Sequence, residues 1–262
     1  MFIILTAASG KDCRQNSTAS TVSTNRQSVY ICYMADITLV GAGLVGALEA
    51  LNLSRLGLKV DVYERRSDIR KAKLYEGRSI NLALSDRGWA ALEEVGLAEE
   101  VRKIAIPMYK RTMHSAEGQL SYQAYGKEGQ AIYSVSRGKL NQLLIEAADA
   151  AENTRFFFEH RCEALDLESK TLTFSNAQKQ EISHSYQRLI GTDGAFSAVR
   201  QALMFQDRFN YQQFYIEHGY KELTIPPAPD GGFLMEKETL HIWPRGSFML
   251  IALPNPDATF TC

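Results

Sequence analysis

The chain has 262 residues, 45% hydrophobic and 23% charged, proportions that exclude a wholly disordered chain, a collagen-like repeat and a coiled coil and leave room for one large or two modest domains. Lys plus Arg number 29 against 30 Asp plus Glu, a formal net charge of -1, so no overall field draws nucleic acid or an anionic membrane, and neither is expected as a partner. Cys13, Cys32, Cys162 and Cys262 are scattered without C-x-x-C spacing and read as reduced and unpaired. No run reaches the 18 or so apolar residues that span a bilayer, so no membrane segment is read in the chain and a cytoplasmic location is expected.

Residues 1–33 differ from the rest. A short apolar start, Phe2 to Leu5, leads into a Ser/Thr/Asn/Gln-rich stretch, Gln15 to Ser28, without helix or strand periodicity, which reads as a disordered leader. Met34 stands just before a clean strand and is the expected native start. From there the pattern predicts strand Ile37 to Val40, helix Leu44 to Leu56, strand Lys59 to Glu64, a basic loop through Arg78 and helix Asp86 to Val95. Strands Met108 to Ser115 and Gln119 to Ala124 follow, then helix Gly138 to Ala150, strand Arg155 to His160, short strands Ala164 to Leu167 and Thr171 to Phe174, and strand Arg188 to Ile190. Beyond Arg200, β-branched and aromatic alternation with proline-rich turns reads as an antiparallel sheet of a second domain. The predicted fold class is α/β, with a Rossmann-like domain over 34–105 and 130–205 and a smaller sheet domain over 106–129 and 206–262. Phe248 to Leu253 is strand-like and Thr259 to Cys262 starts another strand without a terminal cap, so the chain reads as cut at its C-terminus.

The first chemical signal is Gly41-Ala42-Gly43-Leu44-Val45-Gly46, a G-x-G-x-x-G between a strand and an amphipathic helix. Gly41 makes the tight turn, Gly43 lets the backbone approach a pyrophosphate, and Gly46 lets helix and strand pack closely. The helix N-terminus then faces the anion with free N–H groups. Glu64 ends the next strand about 20 residues on, where a carboxylate can accept ribose hydroxyls. The fingerprint does not separate FAD from NAD. A second signal is Gly191-Thr192-Asp193-Gly194-Ala195-Phe196-Ser197-Ala198-Val199-Arg200, a strand running into an Asp-Gly turn and a helix, which places Asp193 where it can meet ribityl hydroxyls; read alone it is an ordinary turn.

Taken together, the glycine fingerprint with Glu64 and the later G-x-D-G-x-x-S-x-V-R resemble the class A flavoprotein aromatic hydroxylases, of the para-hydroxybenzoate hydroxylase fold. Within them, Gly77-Arg78-Ser79-Ile80-Asn81-Leu82-Ala83-Leu84-Ser85, Ser134-Val135-Ser136-Arg137, His218-Gly219-Tyr220, Leu240-His241-Ile242-Trp243-Pro244-Arg245 and Ile251-Ala252-Leu253-Pro254-Asn255 are similar to the branch that hydroxylates L-kynurenine. The resemblance runs from about Asp36 to Cys262. It implies bound FAD, NADPH as cosubstrate, and uptake of oxygen as a flavin C4a-hydroperoxide that hydroxylates L-kynurenine to 3-hydroxykynurenine, a step of tryptophan catabolism on the route to quinolinate and NAD. The electron-donating aniline amine activates the substrate ring, so the protein chiefly positions it and excludes water; no metal and no catalytic side chain is implied.

The resemblance also assigns residues. Val45 lies in the pyrophosphate turn; Tyr63, Glu64, Arg65 and Arg66 border the adenosine; Ala83 and Arg137 line the flavin; Cys162 contributes backbone near the adenine; and Asp193 lies near the ribityl chain. Arg111 is matched to the arginine that binds the substrate carboxylate, a planar partner for its fork, and Tyr125 to a tyrosine at the amino-acid end. Without the resemblance, Arg111 reads as a solvent-facing strand arginine and Tyr125 as a half-buried sheet aromatic. His114, His160, His184, His218 and His241 are too dispersed for a metal set by local spacing, and the mixed-charge helix Glu93 to Lys103 reads as a solvated face. A Gly-Asp pair that the family places beyond mid-chain is absent. Three functions remain open at this point: the FAD monooxygenase, an FAD or NAD oxidoreductase without oxygen insertion, and a nucleotide-binding fragment without chemistry. The 262 residues alone are expected not to turn over kynurenine.

Overall fold

The structure is a computed structural model that describes residues 3–5, 34–71 and 80–262. Its centre is a five-stranded sheet in the order β1 (Ile3–Leu5), β13 (Leu189–Gly191), β2 (Ile37–Val40), β3 (Val60–Tyr63), β9 (Thr154–Phe157). All neighbours pair in parallel except β1, which lies antiparallel on the β13 edge. The apolar start of the predicted leader is therefore a strand of the sheet, a correction to the disordered reading for Ile3–Leu5; the rest of the leader, with Cys13 and Cys32, lies outside the described residues, as do Lys73 and the Gly77-Arg78-Ser79 part of the family motif.

β2 and β3 are buried along their whole length, as parallel strands are when both faces of a sheet are covered. On one face lie α1 (Leu44–Arg55) and α4 (Arg137–Asp149), packed on each other through Ala47, Ala50, Leu51, Leu144, Ile145 and Ala148. Small alanines let the two helices approach closely. α1 stops where Gly57 takes φ +80°, a left-handed conformation open to glycine without steric cost. The other face is covered by an antiparallel meander, β10 (Arg161–Asp166), β11 (Thr171–Ser175) and β12 (Glu181–Ser185), whose Leu172 and Phe174 pack on Val40, Tyr63 and Leu189. β12 was not foreseen: its alternation of Glu181, Ser183 and Ser185 with half-buried Ile182 and His184 is too polar to read as a strand. Asp61, fully buried inside β3, is held by two parallel bonds of 2.8 and 2.7 Å from Arg155 on the adjacent strand.

α2 (Asp86–Glu94) and α3 (Ala98–Arg102) close one end of the helical layer. The predicted solvated helix from Glu93 to Lys103 is thus two helices broken at Gly96, and Val101 is fully buried. Gly96, at φ +73°, turns the chain so that α3 docks an apolar face.

The run Met108 to Ser115, predicted as one strand, belongs to two sheets. β5 (Ile106–Met108) joins β8 (Ile132–Ser136) and β4 (Asn81–Leu84) in a three-stranded sheet, whereas β6 (Lys110–His114) enters a six-stranded sheet. That larger sheet runs β14 (Thr224–Ile225), β17 (Phe260–Thr261), β16 (Phe248–Pro254), β15 (Thr239–Arg245), β6, β7 (Leu120–Ala124). It is antiparallel except between β15 and β6, which pair in parallel, a correction to the expected wholly antiparallel sheet. A polar junction ties the two sheets: the Ser134 hydroxyl donates to the Pro254 carbonyl at 2.8 Å, and Asn81 Nδ2 donates to Asn255 Oδ1 at 2.5 Å. α5 (Ala198–Met204) packs against β10.

Three histidines are built into these layers. His184 lies between Tyr63 Oη, 3.1 Å, and Thr38 Oγ1, 3.4 Å; His114 Nε2 meets His241 Nδ1 at 2.9 Å, and His241 Nε2 donates to the Glu236 carbonyl. Burial pushes the pKa of all three below the ordinary 6.5; the neighbouring His241 and Arg245 add to the effect at His114. The folded state then binds fewer protons than the unfolded state as pH falls through 6.5, so stability declines from that point down to the folded pKa values. Glu64 and Asp68, whose carboxyls are held below their ordinary values, contribute a separate loss at more acidic pH. We expect the thermal midpoint to drop between pH 7.5 and 5.5, and the drop to shrink in His184→Gln; equal midpoints across that range would contradict the histidine assignment.

Candidate FAD and substrate site

The glycine turn sits at the carboxyl ends of β2 and β3, where open α/β sheets form their ligand crevice. Gly41 has φ +103°, and a Cβ there would lie 2.6 Å from the Thr192 carbonyl oxygen. A Cβ on Gly43 would meet nothing within 4 Å, so the space before this residue is open. No side chain caps the N-terminus of α1, and the apolar Val45 in its first turn is 48% exposed. An uncapped helix start with an open approach is the arrangement that receives a phosphate.

Glu64 is buried beside this turn. Oε2 accepts the Ala42 N–H at 2.8 Å, and Oε1 accepts from the Arg66 N–H at 3.0 Å and from Arg66 Nε at 2.9 Å. Burial raises its pKa, but the Arg66 side chain and the two N–H groups outweigh burial and hold the carboxyl below the usual range. It is therefore an anion at neutral pH, with lone pairs left for sugar hydroxyls. Tyr63, in contrast, brings only its backbone to the turn, its carbonyl accepting the Gly41 N–H. Its ring is core, stacked between Phe157 and Phe174 at 4.6 and 4.2 Å, because strand alternation turns it toward the meander. Arg65 and Arg66 are exposed; Arg65, Ser67, Glu159, Arg161, Ser175 and Asn176 line a shallow cavity of about 350 Å³.

The N-cap of α5 is Ser197, and Asp193 reaches the same helix start, its Oδ2 accepting from the Ala198 N–H at 2.7 Å, while its Oδ1 is buried without a partner among the described residues. The Asp193 bond was not foreseen, and the partnerless oxygen is free for a hydroxyl donor. Cys162 is held with its thiol pKa pushed up to about 12 by burial and by the carboxylates of Asp193 and Glu163, so it stands beside Asp193 as a neutral group. Ala83, on β4, is exposed, and Arg137 opens α4 with its N–H on the Ile80 carbonyl; both face outward from the small sheet. These features fit FAD: an open glycine turn, an anionic carboxylate beyond it, and an orphaned buried oxygen two residues past the end of β13.

The second group forms on the larger sheet. The Arg111 guanidinium lies 4.2 Å over the Tyr125 ring, and its NH1 donates to Gln123 Oε1 at 3.2 Å. Tyr125 is half-buried against Met108, Leu240, Ile242 and Leu253. Burial raises its phenol pKa, partly offset by Arg111, so the hydroxyl stays protonated and can donate. The structure thus joins two residues that the sequence separates by 14 positions.

Two residues at the turn escaped sequence reasoning. Asn141 on α4 donates through Nδ2 to the Ala42 carbonyl at 3.2 Å, and Thr192 Oγ1 lies 2.9 and 2.7 Å from the carbonyls of Val40 and Gly41. A signal for Asn141 existed: it is the polar member of an otherwise apolar stripe, Leu140, Leu144, Ile145 and Ala148.

A βαβ start, a covering meander and a crevice shaped for a dinucleotide define a nucleotide-binding α/β domain joined to a second, six-stranded sheet. Residues 34–225 match the model of the FAD binding domain family, and the chain belongs to that family. It is 49% identical over 229 residues to a kynurenine 3-monooxygenase of Christiangramia forsetii, covering 87% of this chain and 51% of the relative, and 48% identical over 226 residues to that of Drosophila melanogaster, covering 86% and 48%. The chain therefore spans about half the length of these relatives. Among solved structures, p-nitrophenol 4-monooxygenase from Pseudomonas putida matches with a TM-score of 0.66 at 17% identity, covering 87% of this chain and 56% of the other. The tetrameric form of 2-methyl-3-hydroxypyridine-5-carboxylic acid oxygenase gives 0.67 at 17% identity, with 87% and 57% covered. At that identity these two speak for the fold, which is the FAD-dependent monooxygenase fold. Among the described residues no helix is long and apolar enough to cross a membrane.

Proposed function

We propose that this chain is the cofactor-binding part and half the substrate wall of an FAD-dependent monooxygenase that hydroxylates L-kynurenine at ring position 3, with NADPH as reductant and molecular oxygen as cosubstrate. The observation that carries the reading is Arg111 lying over Tyr125 on one face of the larger sheet, in a chain of the FAD-binding family whose relatives are named for kynurenine. When bound, FAD supplies the redox chemistry that links NADPH and oxygen. The residues here bind and orient. The uncapped start of α1 holds the pyrophosphate, Glu64 accepts the adenosine ribose hydroxyls, Arg65 and Arg66 flank the adenosine, and Cys162 gives backbone beside the adenine. Asp193 Oδ1 takes a ribityl hydroxyl, and Arg137 and Ala83 border the flavin ring. Arg111 binds the carboxylate of the amino-acid side chain through its fork, and the Tyr125 hydroxyl donates to the same end of the substrate. The aromatic amine is left to activate its own ring, so no side chain has to act as nucleophile or metal ligand.

The test is Arg111→Met in the full-length enzyme. Removing one partner of a desolvated ion pair costs on the order of 2 kcal/mol or more, so the Michaelis constant for kynurenine should rise about 30-fold or more while FAD stays bound. A parental Michaelis constant would remove Arg111 from the carboxylate site.

A further inference from the structure

The glycine turn binds an anion only if its N–H groups point outward and its carbonyls point away, and a flexible turn does not enforce this. Each peptide unit is planar, with carbonyl and N–H on opposite sides, so fixing one end of the unit fixes the other. The unit between Gly41 and Ala42 is held at both ends: its carbonyl lies 2.7 Å from Thr192 Oγ1, and its N–H donates to Glu64 Oε2 at 2.8 Å. The unit between Ala42 and Gly43 is held at one end only. Its carbonyl accepts from Asn141 Nδ2, which turns the Gly43 N–H to the opposite side of the unit, and Gly43 is open, since a Cβ there would meet nothing within 4 Å. The Val40 carbonyl, just before the turn, lies 2.9 Å from the same Thr192 hydroxyl.

We propose that Asn141 and Thr192 are positioning residues for FAD: from α4 on one side and just past the end of β13 on the other, they hold the carbonyls of the turn, Thr192 fixing the unit that carries the Ala42 N–H to Glu64 and Asn141 pre-orienting the next N–H, that of Gly43, toward the cofactor's pyrophosphate. The proposal rests on the FAD reading of the site. Two further contacts fit a clamp. Asn141 Oδ1 is buried with no protein partner, so the bond to Ala42 is the one for which its amide is placed. Thr192 Oγ1 also lies 2.6 Å from where a Cβ on Gly46 would stand, so the third glycine of the fingerprint leaves room for the hydroxyl as well as for the helix. Neither residue is a ligand of the cofactor; both act through backbone.

The experiment uses the 262-residue chain with Asn141→Leu, Asn141→Asp, Thr192→Val and Thr192→Ser. FAD titration by flavin fluorescence should show dissociation constants about 3- to 10-fold above the parent in Asn141→Leu and Thr192→Val, the range of one hydrogen bond. Asn141→Asp keeps the shape but loses the donor and should be at least as weak, whereas Thr192→Ser keeps the hydroxyl and should bind like the parent. In parallel, amide hydrogen exchange without FAD should show the segment 41–47 opening faster in Asn141→Leu and Thr192→Val, with β9 unchanged. Affinity within two-fold of the parent in both, or Thr192→Ser as weak as Thr192→Val, or parental exchange at the turn, would overturn the clamp. If the parent bound no FAD, the site reading would fail, and the exchange data would still decide on the clamp.

Discussion

Replacing Gly46 with alanine is expected to unsettle the whole nucleotide-binding layer. The added Cβ would fall far inside van der Waals contact with the Gly41 carbonyl oxygen and 2.6 Å from Thr192 Oγ1. Neither neighbour can yield: the first is backbone in the turn, and the second is fixed to two carbonyls. α1 would have to lift off β2, and overpacking of this kind costs about 3 kcal/mol or more when the obstacle is backbone. For a domain of this size, the thermal midpoint should fall by roughly 6–12 °C. FAD affinity should fall with it, because the helix start is displaced. Gly43→Ala is the contrast. With φ near −69° and nothing within 4 Å, alanine fits the fold, so the midpoint should stay while FAD binding weakens, the methyl standing where the pyrophosphate approaches. Calorimetry and flavin titration on both variants separate the two glycines; a Gly46→Ala chain as stable as the parent would show that the close approach of turn and helix is not required.

The second large effect is expected at Phe174. It is fully buried in β11, and its ring stacks on Tyr63, which stacks in turn on Phe157. Truncation to alanine removes one end of this aromatic stack and leaves a cavity between meander and sheet, a loss of about 3–5 kcal/mol. The midpoint should drop by roughly 6–20 °C. FAD affinity measured well below the transition should change little, since Phe174 stacks on the ring of Tyr63, whereas the turn is held by the Tyr63 carbonyl and by the Glu64 carboxylate. Loss of affinity in step with stability would mean that the meander itself shapes the adenosine site.

Gly41, Gly43, Gly46 and Glu64 could be read from the chain because their roles are steric or electrostatic and local: a strand, a turn and a helix follow within 30 residues. The parallel pairing of β6 with β15 could not. Alternation of apolar residues tells which face is buried but carries no sign of strand direction, and the partner lies more than 100 residues away. The same limit hid the change of sheet at Tyr109, where an unbroken strand-like run crosses from β5 to β6 and its N–H turns to the Glu238 carbonyl. Asp193, read alone, was an ordinary turn residue that only the resemblance singled out, and its bond to the start of α5 was not legible, because a carboxylate five residues before a helix has several N–H groups within reach. Arg111 and Tyr125 were found only by resemblance, since neither residue type is unusual in a half-exposed strand; their contact is a product of the β6–β7 hairpin and the bend after it.

The state of Cys162 bears on how readily its sulfur is oxidised. Only the thiolate is readily oxidised, first to sulfenic acid and then to forms that cannot be recovered. With its pKa pushed up to about 12, the thiol ionises in roughly one molecule in 10⁵ at neutral pH. In the proposed monooxygenase, hydrogen peroxide lost from the flavin would be the oxidant that such a thiol meets. Burial, with the carboxylates of Asp193 and Glu163 beside it, thus makes the cysteine a poor target for oxidation, a chemical protection that comes from where the fold places the sulfur.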